Sequence, residues 1–120
     1  MTVDIKAALV LIVAAAGCRA AEGSVIPGVS VARGKQSFAG FGCGSCHEIR
    51  GVRAAYGKIG PPLTGVATRA IIAGQLANTP ENMVRWIRDP QAVEPNTAMP
   101  NLGVTEQTAR DMVAYLYTLR

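Results

Sequence analysis

The chain has 120 residues, a length that allows one small domain with a single hydrophobic core. Apolar residues make up 49% of the sequence and charged residues 17%, which is typical of a folded protein, but aromatic residues make up only 5%, so large core side chains are scarce. The net charge of +4 is far from the density of nucleic-acid-binding proteins, and three cysteines with one histidine exclude most closed zinc sites and disulfide frameworks.

The N-terminal segment has the pattern of an export signal. Residues 7–16 (AALVLIVAAA) form an uncharged apolar run that is shorter than the about 20 residues needed to span a bilayer. The run fits the centre of a secretory signal peptide covering residues 1–17, so we expect the mature protein outside the cytoplasm. Residues 15–18 (AAGC) resemble a bacterial lipobox, which predicts that Cys18 is lipidated and becomes the mature N-terminus. Cleavage after Ala16, an uncleaved anchor and a buried N-terminal helix are the alternatives.

The segment that follows predicts a tether and then a helix. Residues 18–30 are small, polar and interrupted by glycine and proline, a composition typical of a flexible tether. The folded domain is therefore expected to comprise residues 31–120. Its first segment, 31–41, carries apolar residues and a glycine at helical spacing. Residues 50–66 form a long loop rich in glycine and proline, and in so small a domain such a loop needs a bound group to hold it.

Capping signals predict two more helices. Thr79 followed by Pro80 and an acid indicates a helix start, and Pro90 ends that helix. Thr105 followed by an acid starts the last helix, whose apolar residues line one face up to the end of the chain. No segment alternates with a period of two for long enough to predict a strand. We therefore predict an all-α fold.

The motif that carries chemistry is CGSCH at residues 43–47. Two thiols separated by two residues can add across the two vinyl groups of one haem, and the histidine that follows can coordinate the iron. A thioredoxin-like redox pair would need a βαβ setting that is absent, and a zinc site would need a fourth ligand and a better aimed His47. We expect one covalent haem c held by Cys43 and Cys46, with His47 as an iron ligand. The haem would also fill the centre of the domain.

At this point the chain resembles a class I c-type cytochrome over residues 31–119. The resemblance implies helices packed around one haem, with crossing N- and C-terminal helices. In that family a methionine on the loop before the last helix is the sixth iron ligand, and the segment 97–100 (TAMP) matches this position. The resemblance therefore implies Met99 as the second iron ligand, while Met83 and Met112 lie in predicted helices, where core packing is the ordinary interpretation.

Further positions match the same family. Residues 60–65 (GPPLTG) resemble the loop on the histidine side of the haem. The match implies that the Pro61 carbonyl accepts a hydrogen bond from His47 and that Leu63 packs on the haem; a rigid surface turn is the alternative. Trp86 matches an aromatic position near the methionine side, where its N–H could reach a haem propionate, and plain core packing is the alternative.

The family match also covers the first and last helices, and positive charge lies close to the predicted iron ligands in the sequence. Gly34 would permit close approach of the first helix to the last. Positively charged residues flank the iron ligands in the sequence, and we expect them to ring the haem edge and steer an acidic partner, with a solvated face as the alternative. These residues are Arg50, Arg53, Lys58, Arg85 and Arg88.

Within the family, residues 73–90 followed by Met99 are most similar to the cytochrome c domain fused to subunit II of certain haem-copper oxidases; residues 78–82 (NTPEN) are the most distinctive run. The resemblance implies an electron carrier without catalytic residues. It would serve a membrane-bound haem-copper oxidase from the periplasmic side of the bacterial inner membrane and bind neither nucleic acid nor a small-molecule substrate. The alternatives are a haem subunit of a periplasmic dehydrogenase, and a peroxidase or gas sensor in which Met99 leaves the iron.

Overall fold

The computed structural model describes residues 28–120. The predicted signal peptide, most of the predicted tether and the lipidation predicted at Cys18 lie outside the described residues. The helices are α1 (Val31–Gly40), α2 (Pro80–Arg88), α3 (Pro90–Val93) and α4 (Glu106–Leu116), the strands are β1 (Ile71–Ile72) and β2 (Leu76–Ala77), and 3-10 turns cover Cys43–Ser45 and Val66–Thr68.

The first and last helices form the most extensive contact between elements of residues 28–120. Ser30 caps α1, because its hydroxyl accepts an N–H of the first turn at 3.2 Å. Gly34 lies against α4, where any side chain would collide with the Asp111 backbone, so the glycine sets how closely the two helices approach. One turn further along, the rings of Phe38 and Tyr115 pack with centroids 6.0 Å apart.

A buried carboxylate holds the start of the domain onto α4. The side chain of Asp111 is 4% exposed and accepts hydrogen bonds from the Ser30 N–H at 2.7 Å, from Arg33 at 2.7 Å and from Gln107 at 3.2 Å. Burial raises the pKa of the Asp111 carboxyl, but these hydrogen bonds outweigh burial and hold the pKa below its ordinary value. Arg33 also donates to the Gly28 carbonyl at 2.9 Å, which fixes where the chain enters the domain.

The second predicted helix is present with its predicted cap. Thr79 caps α2, accepting an N–H of the first turn at 3.2 Å, and the helix ends at Arg88 before Pro90. Pro90 does more than the sequence analysis assigned to it, because it occupies the first position of α3. Asp89 caps this short helix at 3.3 Å, and a proline at the first position loses no helical hydrogen bond.

The small hairpin departs from the predicted all-α fold. β1 and β2 pair antiparallel, with Ile71 opposite Ala77 and Ile72 opposite Leu76. Each strand has two residues, which is too short to produce an alternating pattern in the sequence. The rest of the described chain is helical or irregular, and the hairpin adds one wall to a helical domain.

The hydrophobic core lies between α1, α2 and α4. Met83 and Met112, which the sequence analysis assigned to the core, are 3% and 1% exposed, so both are core residues. The largest fully buried side chains in the described residues are Ile49, Met112, Leu116 and Pro90. No helix between residues 28 and 120 is long and apolar enough to cross a membrane.

Candidate cofactor site

A cavity of about 700 Å³ with a mainly apolar wall opens beside this core. Its wall is contributed by the CGSCH segment, the loop that follows it, the hairpin, α2 and the loop before α4, with residues of α1 and α4 at its base. Every residue that the sequence analysis assigned to the haem site lines this one cavity. These residues are Cys43, Cys46, His47, Pro61, Leu63, Trp86 and Met99.

The imidazole of His47 is oriented by its surroundings. Its Nδ1 lies 2.8 Å from the Pro61 carbonyl oxygen, the hydrogen bond that the family resemblance implies. A carbonyl can only accept, so Nδ1 carries a proton, and in the neutral imidazole Nε2 is then the nitrogen whose lone pair can bind a metal ion. A side chain at Gly60 would lie within 3 Å of both ring nitrogens, so only a glycine leaves room for the ring. The Gly60 N–H donates to the Cys46 carbonyl at 2.8 Å and holds this loop beside the motif.

The two thiols are presented by a tight turn. Gly42 begins the 3-10 turn with a positive φ of 70°, and the Cys46 N–H closes it onto the Cys43 carbonyl at 3.2 Å. Both cysteines are free and partly exposed in the cavity wall, and burial raises the pKa of the Cys43 thiol. A side chain at Gly57 would lie 2.5 Å from the Cys46 nitrogen, so only a glycine at this position lets the loop pack against the motif.

Asn78 does not line the cavity itself but holds two of its wall residues, Val66 and Arg69, beside the hairpin. Its side-chain amide donates to the Val66 carbonyl at 2.7 Å and the Arg69 carbonyl at 2.8 Å, and its oxygen accepts from the Tyr117 hydroxyl at 2.7 Å. Arg69 lines the cavity and donates to the Pro62 carbonyl. Asn78 was predicted only as part of a distinctive run and Arg69 was not predicted, because both act through contacts between distant segments.

The remaining wall comes from α2 and the loop after α3. Trp86 is half-buried in the cavity wall, and its indole N–H has no hydrogen-bond acceptor among residues 28–120. Met99 lies in the same wall, on an irregular segment. Its N–H donates to the Thr97 hydroxyl at 3.2 Å, and its carbonyl accepts from Gln91 at 2.7 Å. The backbone on both sides of Met99 is therefore held.

None of the five positively charged residues that were predicted to ring the haem edge lines the cavity itself. Arg50 and Arg53 line a separate depression of about 620 Å³, and Arg88 forms an exposed ion pair with Glu106 at 3.4 Å. Within the described chain, Arg69 is the only lysine or arginine in the cavity wall. Closeness in sequence to the predicted iron ligands therefore does not by itself place an arginine in the cavity wall.

Comparison with known proteins agrees with this geometry. Residues 31–120 match the family model described as Cytochrome c. The chain is 36% identical over 89 residues to cytochrome c oxidase subunit 2 of Alkalihalophilus pseudofirmus, an alignment that covers 73% of this chain and 25% of that protein. It is 30% identical over 94 residues to cytochrome c oxidase subunit 2 of Bacillus sp. strain PS3, which covers 75% and 26% respectively. The chain thus spans about a quarter of the length of these relatives.

The chain therefore belongs to the cytochrome c family and is a c-type cytochrome of class I. Membership implies a covalently bound haem c and electron transfer, so the protein is a carrier rather than a catalytic enzyme. The residues present fit that group. The cavity wall combines two free thiols, an imidazole with an available Nε2 and a thioether with a largely apolar surface.

Proposed function

We propose that this cytochrome is a membrane-tethered carrier on the periplasmic side of the bacterial inner membrane, where it passes single electrons to a haem-copper terminal oxidase. The observation that carries the proposal is the meeting of Cys43, Cys46, His47 and Met99 on one apolar cavity. The two cysteines would hold one haem c through thioether bonds, and His47 and Met99 would be the two protein ligands of its iron. The chemistry supplied by the bound haem is a reversible one-electron change at its iron.

The residues of the cavity are suited to carrying electrons. The Pro61 carbonyl keeps the proton of His47 on Nδ1, so that Nε2 is a neutral ligand of fixed orientation. Ligation by both His47 and Met99 would leave no open position for a substrate. The apolar wall limits water access, and a thioether ligand favours the reduced form, so we expect a comparatively high reduction potential.

The proposed location and partner rest on the sequence and on the relatives. The apolar run of residues 7–16 before Cys18 supports export and lipidation. From Cys18 to residue 30, a fully extended tether reaches about 40 Å, which confines the domain to the membrane surface. Both relatives are named cytochrome c oxidase subunit 2, which supports an oxidase as the electron acceptor.

Replacing the second proposed ligand tests the site. In the purified holoprotein, Met99→Ala is expected to keep the covalent haem, abolish the weak far-red sulfur-to-iron absorption band of the oxidised form and permit carbon monoxide binding. Met83→Leu is the matched control, because Met83 is a second thioether in the cavity wall but lies buried within α2. Rapid carbon monoxide binding by the wild type, or loss of the far-red band in Met83→Leu with its retention in Met99→Ala, would contradict the proposal.

A further inference from the structure

The segment that carries Met99 lacks ordinary backbone support. Residues 98–104 lie in the connection between α3 and α4, and within the described chain they take part in no backbone-to-backbone hydrogen bond. Bonds to side chains hold them instead. These bonds join Met99 N–H to Thr97 Oγ1 at 3.2 Å, Gln91 Nε2 to the Met99 carbonyl at 2.7 Å, Asn101 Nδ2 to Asp89 Oδ1 at 3.3 Å, and Gly103 N–H to Asn101 Oδ1 at 3.0 Å.

Two of these bonds come from α3 and its cap, and α3 is itself well anchored. Pro90 and Val93 are buried, and Asp89 caps the helix. At the other end, Gln75 of the hairpin turn donates to the Val93 carbonyl at 2.6 Å. Gln91 is half-buried between these anchors, so its amide is a fixed donor rather than a mobile surface group.

The bond from Gln91 bears on the direction of the Met99 side chain. The two backbone polar atoms of Met99 are both engaged, its N–H by Thr97 and its carbonyl by Gln91. Pro100 follows and restricts Met99 to extended conformations. With both flanking peptide groups fixed, the Cα–Cβ bond has one direction, and the side chain lies in the cavity wall.

We propose that Gln91 is a positioning residue that keeps Met99 in place as an iron ligand by holding its carbonyl. The inference rests on the proposed function, in which Met99 ligates the iron. Displacement of Met99 by an external ligand is expected to shift this segment and to strain the Gln91 bond. Gln91 therefore opposes displacement without touching the iron, and its loss weakens the Met99-bound state relative to the displaced state.

Imidazole competition on the oxidised, full-length holoprotein measures this balance, with loss of the far-red band as the signal. Gln91→Ala is expected to tighten apparent imidazole binding about 10-fold, because one part-buried hydrogen bond contributes a factor of this order. Gln91→Glu keeps the size of the side chain, but an ionised carboxylate cannot donate to a carbonyl, so the same shift is expected. Gln36→Ala is the matched control, since Gln36 is an exposed glutamine on α1, and it leaves imidazole binding unchanged.

Gln75→Ala separates positioning from a general loosening of α3. It removes an amide-to-carbonyl bond at the other end of this helix and does not touch the Met99 segment. Urea unfolding of each variant measures the loss of overall stability. A 10-fold shift in the Gln91 variants, with little shift in Gln75→Ala at a similar urea midpoint, supports the inference.

Two outcomes overturn the positioning role. One is imidazole binding in both Gln91 variants equal to that of Gln36→Ala, while Met99→Ala still abolishes the far-red band. The other is an equal shift in Gln75→Ala and the Gln91 variants, which would assign the effect to α3 as a whole. If the band instead survives in Met99→Ala, the proposed ligation itself is wrong.

Discussion

At the scale of single residues, the cavity depends on glycines as much as on the ligands. Gly60 faces the ring of His47 and Gly57 faces the backbone of Cys46, and in each case a side chain would occupy the space of the motif. The Pro61 carbonyl that orients His47 follows Gly60 directly. The Gly60 backbone that packs against the His47 ring and the Pro61 carbonyl that orients this ring are therefore parts of one local structure. A side chain at Gly60 should also disturb the hydrogen bond from His47 to Pro61.

Gly60→Ala is expected to destabilise the oxidised holoprotein by about 2 kcal/mol, because the added methyl group must push the His47 ring or its loop aside. Urea unfolding measures this change. Gly40→Ala is the control: Gly40 is the last residue of α1, a side chain there meets open space, and alanine should stabilise the helix by about 0.5 kcal/mol. Equal midpoints for the two variants would show that the ring has room to move.

The residues at the centre of the candidate site were predictable because haem attachment in the cytochrome c family requires this spacing. The CGSCH motif names Cys43, Cys46 and His47 without any knowledge of the fold, and the resemblance added Pro61 and Met99. The supporting residues were not predictable in this way. Gly60 and Asn78 lie in runs that match the family, but their contacts, like that of Gln91, join atoms that only folding brings near, so no local pattern assigns their roles.

At the scale of elements, the contact of α1 with α4 holds the domain together and contains the Arg33–Asp111 pair. The carboxylate of Asp111 is buried, whereas the Arg33 side chain is 57% exposed. Only one partner of this ion pair is buried, so its main role is to accept hydrogen bonds at the start of α1 rather than to pair two buried charges. The hydrogen bonds of this pair join the start of α1, Gln107 of α4 and the backbone of Gly28. Their loss should therefore weaken the contact between the two helices.

Asp111→Asn is expected to lower stability by about 2 kcal/mol at pH 7, because charge-assisted hydrogen bonds to a buried acceptor are weakened. The pKa of Asp111 is lowered in the folded state, so the unfolded state takes up the proton first on acidification. The stabilisation by Asp111 is therefore full above about pH 4, near the unfolded pKa, and is lost as the pH falls through the lower folded pKa. Urea midpoints of wild type and variant should converge at acid pH, and a difference independent of pH would contradict this account.

The helices could be predicted better than the connections between them. Thr79 and Thr105 cap α2 and α4 as expected, because a cap is a local hydrogen bond that the sequence encodes within one turn. The hairpin and α3 were missed for the opposite reason. Two-residue strands and a four-residue helix are too short to show a period of apolar residues in the sequence. They are held by groups distant in the sequence, such as Gln75, which donates to the Val93 carbonyl.

At the scale of the whole molecule, the cavity is bordered by apolar rather than charged side chains. Ile59, Ile71 and Leu102 line it and are 79%, 51% and 42% exposed, which is unusual for large aliphatic side chains. Lys58 and Arg85 are the exposed sequence neighbours of the wall residues Ile59 and Trp86. The border of the cavity therefore exposes aliphatic side chains, and among the described residues Arg69 and Glu94 are its charged lining side chains.

The proposed tether and this surface predict different responses to salt. In washed membranes, electron transfer from the wild type to the oxidase should be insensitive to salt, because the tether keeps the effective concentration high. Cys18→Ser should release the protein into the soluble periplasmic fraction. The bimolecular rate of electron transfer from this released protein to purified oxidase should fall as salt rises towards 0.15 M, because screening there limits charge interactions to about 8 Å. Cys18→Ser protein that remains in the membrane, or wild type that lacks a lipid by intact-mass measurement, would contradict the anchor.

Two charge reversals in the Cys18→Ser protein locate the docking surface. Arg85→Glu and Arg53→Glu change the net charge equally, but Arg85 directly precedes the wall residue Trp86 in α2, whereas Arg53 lines the separate depression. If the partner docks over the cavity, electrostatic steering should suffer more from Arg85→Glu, with a larger loss of rate at low salt that disappears at high salt. Equal losses would assign the effect to net charge alone. A rate indifferent to both reversals and to salt would assign docking to the apolar border formed by Ile59, Ile71 and Leu102.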